Sequence, residues 1–397
     1  MGRRESLQRQ RIKVGLSQER LGEAVGVNAR TVRTWESGTS TPMPEQRQPL
    51  AHALQVDADQ LDRLLAGQPV DDSSGHVEGG PVEQLRMRLD QAFSDTTSAA
   101  RLEVVEQQVL DHLTAYTRIG PSEALASLIP DLTEVHALAV RRLPLAVHRK
   151  LSVVLTMLTL LVADAHMRQG CIPRARRWYR TALLVAHDAE DSLLAALVLA
   201  QQTMLAYYYQ TPDQAVVLAR RARELTAGRV CDAAALAAAA EARALGRLGD
   251  ARGVHEALTD ARRLTDQLDS RTGDDPHAAY RFSHGRLALY TSGALSNLGD
   301  VARARAAQDH ALTTYAAEPR LVIDPALIQL DRAVLEATTG DPLDGVTLAL
   351  TTLSELKPDQ RTAVVLTRAR DVVTEVSPRT YGAMGETVER LRELTAW

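Results

Sequence analysis

Arg30 and Arg33 stand three residues apart beside Ala29 and Thr34, so a helix through them would carry two guanidinium groups and a hydroxyl on one side. A guanidinium donates paired hydrogen bonds to a phosphate, a carboxylate or the edge of a guanine. The flanking residues give the elements that would position these groups. Ser17 and Asn28 are N-cap residue types and Gly26-Val27 supplies a tight turn, which predicts one helix opening at Gln18 and a second opening at Ala29. Leu21, Ala24 and Val25 on the first, and Val32 and Trp35 on the second, have the spacing of an inward face. Ala29, Arg30, Arg33 and Thr34 are left on the outer face of the second helix. A short, polar and partly basic face of this kind suits the major groove of DNA, and its plain alternative is an ordinary solvated surface.

The run from Gly15 to Gly38 resembles the phage-repressor or Xre class of helix-turn-helix proteins. The resemblance covers roughly residues 3–66, with Trp35-Glu36-Ser37-Gly38 closing the third helix and Leu50 to Leu54, Val56 and Leu61 to Leu65 in the last two. It implies that Gln18 and Asn28 hold phosphates at two helix N-termini, where unpaired backbone N–H groups favour an anion. It also implies that Arg30, Arg33 and Thr34 face bases, that Arg11 pairs with Glu36, and that the protein binds double-stranded DNA as a homodimer. Ala29 departs from the pattern at a position where glutamine is common; it could contact only a thymine methyl.

Charge is divided along the chain. Residues 1–40 carry eight cations against four anions, whereas the whole chain is at −4, so the remainder sums to −8. That asymmetry confines a phosphate-attracting field to one end. Arginine alone signals little, because only Lys13, Lys150 and Lys357 are lysines among 46 cations. With 397 residues and a 45% apolar share, more than one domain and a sizeable core are expected. The longest apolar stretch, Leu151 to Ala163, reads as too short and too polar to span a bilayer, and no leader pattern is present, so a cytoplasmic protein with no membrane contact is expected. Cys171 and Cys231 lack the spacing of a metal site or a disulfide framework and read as buried; no metal and no cofactor are expected.

The domain organisation expected is a five-helix head at 1–66, a linker at 67–81 rich in Gly, Pro, Asp and Ser, and a helical body at 82–397. Within the body, a helix-ending residue is followed five positions later by a small or apolar one at Gly120/Leu125, Gly170/Ala175, Gln210/Ala215, Gly249/Val254, Gly299/Ala304 and Gly340/Gly345. Further small residues lie at fixed offsets, among them Ala182, Ala222, Ala261 and Ala311 twelve positions on. The pattern resembles the tetratricopeptide repeat, although its intervals exceed that repeat's usual length of about 34 residues. The fold class expected is therefore all-α: a helix-turn-helix head followed by an α-solenoid of tetratricopeptide-like hairpins, which serves as effector and dimerisation domain.

In such solenoids the first helix of each hairpin lines the concave side. One stripe of those helices collects Thr114, Arg118, Asp164, Met167, Arg168 and Met204, then Tyr207, Tyr208, Arg243, Arg247, Arg286 and Asn297. The last six are the candidate effector site, since arginine holds carboxylates bidentately and tyrosine adds rigid amphipathic area. The alternative is a solvated groove lined by arginines that this composition places everywhere. The domain order resembles actinobacterial regulators of this layout and, more distantly, the peptide-responsive regulators of the Rgg and PlcR type. Members of the latter clamp peptide backbone with several asparagines, whereas this body offers Asn297 alone.

Together these features predict a sequence-specific DNA-binding transcription regulator whose body takes an anionic small molecule, a peptide or a protein partner. The alternative is a protein-interaction scaffold with a non-regulatory head. An enzyme is not expected: no Gly-rich phosphate loop, HExxH, GxSxG or clustered acid pair with histidines is present.

Overall fold

A computed structural model describes residues 4–54, 56, 58–67, 99–141, 143–268, 278–376 and 381–395. Nineteen α-helices and one 3₁₀ turn account for the regular structure among them, with no strand, which is the all-α class the sequence predicts. The chain divides into two compact units, Met1–Phe93 and Ser94–Trp397. The expected linker at 67–81 lies, from residue 68 onward, outside the described residues.

The first unit holds α1 (Glu5–Lys13), α2 (Gln18–Val25), α3 (Ala29–Glu36), α4 (Pro44–Leu54) and α5 (Ala58–Leu65). Ser17 Oγ accepts the Arg20 N–H at 3.2 Å and Asn28 Oδ1 accepts the Thr31 N–H at 2.9 Å, so both caps form at the ends the sequence marks. Gly26 closes α2 at φ 75°, a left-handed conformation that glycine adopts without strain. Leu7, Leu21, Val32, Trp35, Leu50, Leu54 and Leu61 form the core. Ala24 is exposed, contrary to the inward position expected of it. The buried face of α2 is centred on Leu21, Gly22 and Val25, and at about 100° per residue Ala24 falls well to one side of it.

The second unit is built of seven consecutive helix pairs among the described residues: α6 (Ala99–Tyr116) with α7 (Pro121–Ala139), α8 (Leu145–Arg168) with α9 (Ile172–Asp188), α10 (Ser192–Tyr209) with α11 (Pro212–Thr226), α12 (Asp232–Arg247) with α13 (Ala251–Leu268), α14 (His284–Leu298) with α15 (Val301–Tyr315), α16 (Ile323–Thr339) with α17 (Pro342–Glu355), and α18 (Ala363–Glu375) with α19 (Tyr381–Thr395). All six turn residues marked in the sequence fall between the two helices of a pair. The small residues at the repeat offsets, including Ala175, Ala215, Ala182, Ala222, Ala261 and Ala311, are fully buried where helices meet. The first pair is out of register: Leu113, Leu125 and Leu132 are half-buried, and Ala124 and Leu128 take the buried positions.

The first helices of successive pairs pack side by side as an inner layer, and α18 returns to pack against α8 and α10. At Gly246 on α12 a β-carbon would stand 2.6 Å from the Ala294 carbonyl oxygen of α14, so these two inner helices meet at backbone distance. The apolar stretch expected to be too short for a membrane belongs to the 24-residue α8, which by length and composition is apolar enough to cross one. Half of its most apolar window is buried within the unit. Cys171 and Cys231, expected to be buried, are free and half-buried at the N-caps of α9 and α12.

Candidate functional site

In the head, α3 carries Arg30 and Arg33 exposed and Ala29 half-buried. Thr34 Oγ1 donates to the Thr31 carbonyl at 2.8 Å and shares a 2.7 Å hydrogen bond with Ser40 Oγ. Beneath this surface Arg11 Nε donates to Glu36 Oε1 at 2.6 Å, with both side chains more than nine-tenths buried. Gln18 Nε2 donates to the other carboxylate oxygen of Glu36 at 2.6 Å, and Gln18 Oε1 accepts from Arg33 Nε at 3.4 Å. A continuous polar chain thus runs from Arg11 through Glu36 and Gln18 to Arg33. Asn28 uses its side-chain oxygen on Thr31, so the anion-favouring groups at these two helix starts are the first-turn backbone N–H groups.

In the body, the inner helices line a half-open cavity of about 130 Å³. Met167, Met204, Leu289, Leu321, Leu327 and Val364 give it apolar walls; Tyr116, Asp164, Arg168, Gln201, Arg286 and Asp324 bring polar groups to it. Arg168 is spent on the end of α6, donating to the Tyr116 and Ile119 carbonyls at 3.1 Å each. Asp164 accepts from the hydroxyls of Tyr179 and Tyr280, and Asp324 accepts from Tyr315 at 2.8 Å. Burial pushes the Asp164 carboxyl up to about 6, against the opposing pull of those two hydroxyls and of Arg168 and Arg286. Gln201 Nε2 and the Tyr116 hydroxyl are buried with no hydrogen-bond partner among the described residues. Burial raises the Tyr116 hydroxyl further above its ordinary range, so it stays a donor.

Residues 7–61 match the family model described as Helix-turn-helix. This segment is a helix-turn-helix domain of the Xre type. Among solved structures, that of Bacillus thuringiensis PlcR in complex with the peptide PapR7 and DNA is similar to the chain at 12% identity and a TM-score of 0.27, covering 67% of this chain and 95% of that one. No curated protein matches the chain. Within the helix-turn-helix domain, α2 and α3 are the two helices that give the motif its name, and the Gln18 amide joins the start of one to the exposed side of the other.

The six candidate effector residues divide between two places. Arg286 lies on the cavity wall. Tyr207, Tyr208, Arg243, Arg247 and Asn297 gather instead around the Tyr207 ring and do not line the cavity, which the cluster borders through Tyr290. The Arg243 guanidinium is 1% exposed and sits 4.5 Å from the Tyr207 ring centre, 5.1 Å from Tyr208 and 5.6 Å from Tyr290. Its nearest carboxylate oxygen, on Asp331, is 3.9 Å away and is held by Arg368 Nε at 2.7 Å. Asn297 Nδ2 donates to the Tyr207 hydroxyl at 2.9 Å, and Arg247 donates to the Tyr207 carbonyl at 3.0 Å. Buried Arg243, Tyr207 and Tyr208 therefore belong to packed interior rather than to a solvated groove. The inward stripe does reach the cavity at Asp164, Met167, Arg168 and Met204. Sequence reasoning missed Gln201 and Tyr116. Gln201 had a signal, a polar residue in a helix otherwise apolar nearly all round; Tyr116 had none.

Proposed function

We propose that the protein is a sequence-specific DNA-binding transcription regulator whose helical body binds an effector. The observation that carries this reading is the helix-turn-helix domain at residues 7–61, with Arg30 and Arg33 exposed on its second motif helix. In this reading Arg30, Arg33 and Thr34 read base edges, and Ala29 packs on a thymine methyl where the site offers one. The backbone at Gln18 and Asn28 holds phosphates. The protein acts in the cytoplasm as a homodimer and regulates by binding rather than by catalysis. The head spans residues 1–66 and is joined by a linker, 67–81, to the effector-binding and dimerising body, 82–397. The effector enters the cavity beside Arg286, and the Tyr207–Arg243–Asn297 cluster supports the inner helices that shape it.

Selection of bound sequences from random double-stranded DNA by the full chain tests the reading. A defined operator should emerge, and Arg30→Ala should weaken binding to it by about 1–3 kcal/mol while binding to random DNA changes little. Equal losses on both would make Arg30 a phosphate contact, and failure to enrich any sequence would refute the regulator reading.

A further inference from the structure

The body cavity is half-open, so its size limits the apolar part of an occupant buried in it. A cavity of about 130 Å³ is comparable with the roughly 150 Å³ site that accommodates one benzene ring. Chain already present takes up the neighbouring interior. The segment leading into α14 is buried at Ala278, Ala279, Tyr280 and Phe282. The Ala279 N–H donates to the Leu113 carbonyl of α6 at 2.7 Å, the Tyr280 hydroxyl to Asp164 of α8 at 3.0 Å, and the Phe282 N–H to Asp232 of α12 at 2.8 Å. The protein's own segment thus lies across three inner helices and fills that space.

The polar groups limit the occupant's chemistry. Gln201 and Tyr116 are 6% and 8% exposed, and each brings a hydrogen-bond donor without a partner to the cavity wall. Arg286 joins them: its backbone N–H is capped by Ser283, while its guanidinium makes no hydrogen bond to the described residues. Both wall carboxylates, Asp164 and Asp324, already accept tyrosine hydroxyls. Each carboxylate offers about four acceptor sites, so both still favour the Arg286 charge, Asp324 foremost. What lacks a partner is the uncharged pair of donors on Gln201 and Tyr116, and their complement is an acceptor-only group seated beside Arg286.

We propose that this cavity binds a small organic carboxylate, its charged group on Arg286, Gln201 and Tyr116 and a ring-sized apolar body against Met167, Met204, Leu289 and Leu327. The inference rests on the reading of the body as an effector domain and names the effector's class. A neutral amide of the same shape offers fewer acceptor sites to the unpartnered donors of Gln201 and Tyr116, and it carries no charge for Arg286. The acid should therefore be preferred over the amide.

Calorimetric titration of the full chain, without DNA, compares benzoate and isovalerate with benzamide and isovaleramide. At least one acid should bind about tenfold or more tightly than its amide, a difference of about 1.4 kcal/mol. Arg286→Met should abolish that preference, and Arg286→Lys should restore part of it. Gln201→Leu removes a buried unsatisfied amide, so it should melt no lower than the parent while weakening the acid. Equal affinity for acid and amide overturns the proposal. So do unchanged selectivity in both Arg286→Met and Gln201→Leu, and the absence of binding by either acid, which would assign the cavity to ordered water. Because no DNA is present, loss of carboxylate binding with operator selection intact removes this inference alone. Carboxylate binding without operator selection removes the regulator reading alone.

Discussion

Glu36 is buried with both carboxylate oxygens engaged, Oε1 by Arg11 Nε and Oε2 by Gln18 and, at 3.4 Å, by Arg11 Nη2. A buried ion owes its stability to its partners, so removing one partner strands a charge, whereas removing both leaves a smaller penalty. Arg11→Met or Glu36→Gln alone is expected to destabilise the head by about 3–5 kcal/mol, and the double variant by clearly less than the sum. Denaturant unfolding followed by Trp35 fluorescence, in a chain with Trp178 and Trp397 replaced by Phe, measures the cycle; additive losses would show that the pair is not coupled. Asp164 gives a prediction in pH. Its carboxyl is raised to about 6, and it faces Tyr179 and Tyr280 as donors, Arg168 and Arg286 as cations, and the Tyr116 hydroxyl. A carboxyl raised on folding contributes stability that is full below its ordinary range and is lost as pH climbs through the folded value. The body's melting temperature should therefore fall from this group between about pH 4 and pH 7, and Asp164→Asn should flatten that part of the profile. An unchanged slope in the variant would show that Asp164 is not the group responsible.

Helix packing sets a different kind of tolerance. At Gly246 an added methyl would meet backbone of α14, which cannot rotate away as a side chain does. Gly246→Ala should cost about 1–3 kcal/mol despite the better helix propensity of alanine. Gly385 is exposed on α19, with nothing within 4 Å of where a β-carbon would stand, and should gain about 0.5–1 kcal/mol from the same substitution. Thermal melts of the two variants check this, and a stable Gly246→Ala would mean that α12 and α14 part readily. The caps at Ser17 and Asn28 and the six inter-helix turns were legible because they depend on local chemistry, a side-chain oxygen or a chain break. Facing was less legible. One residue of error in a repeat mark rotates a helix by about 100°, enough to exchange a cavity wall for a buried interior. Arg243 and Arg286 occupy those two environments, and in a chain that uses arginine almost exclusively as its cation nothing in residue type separates them. The orphaned donors of Gln201 and Tyr116 depend on what faces them from other helices, which no local pattern records.

At the scale of the molecule, positive charge is concentrated in residues 1–40 while the rest of the chain carries −8, so phosphate attraction belongs to the head alone. One head offers a single recognition helix of eight residues, Ala29–Glu36, and such a helix reaches only a few base pairs. Under the proposed regulator reading, sequence selection in a genome calls for two heads on one duplex, and the bodies are the proposed dimerising part. The full chain on its selected operator should therefore have twice the 43.3 kDa protein mass by light scattering. Its two protected half-sites should lie about 34–36 Å apart, or a multiple of that, if both heads occupy one face of the helix. Salt dependence gives an independent count, because each phosphate neutralised contributes about 0.9 to the slope of log affinity against log salt. An operator with one half-site destroyed should retain about half that slope. A complex of one chain per operator, with a slope indifferent to the second half-site, would show that a single head suffices.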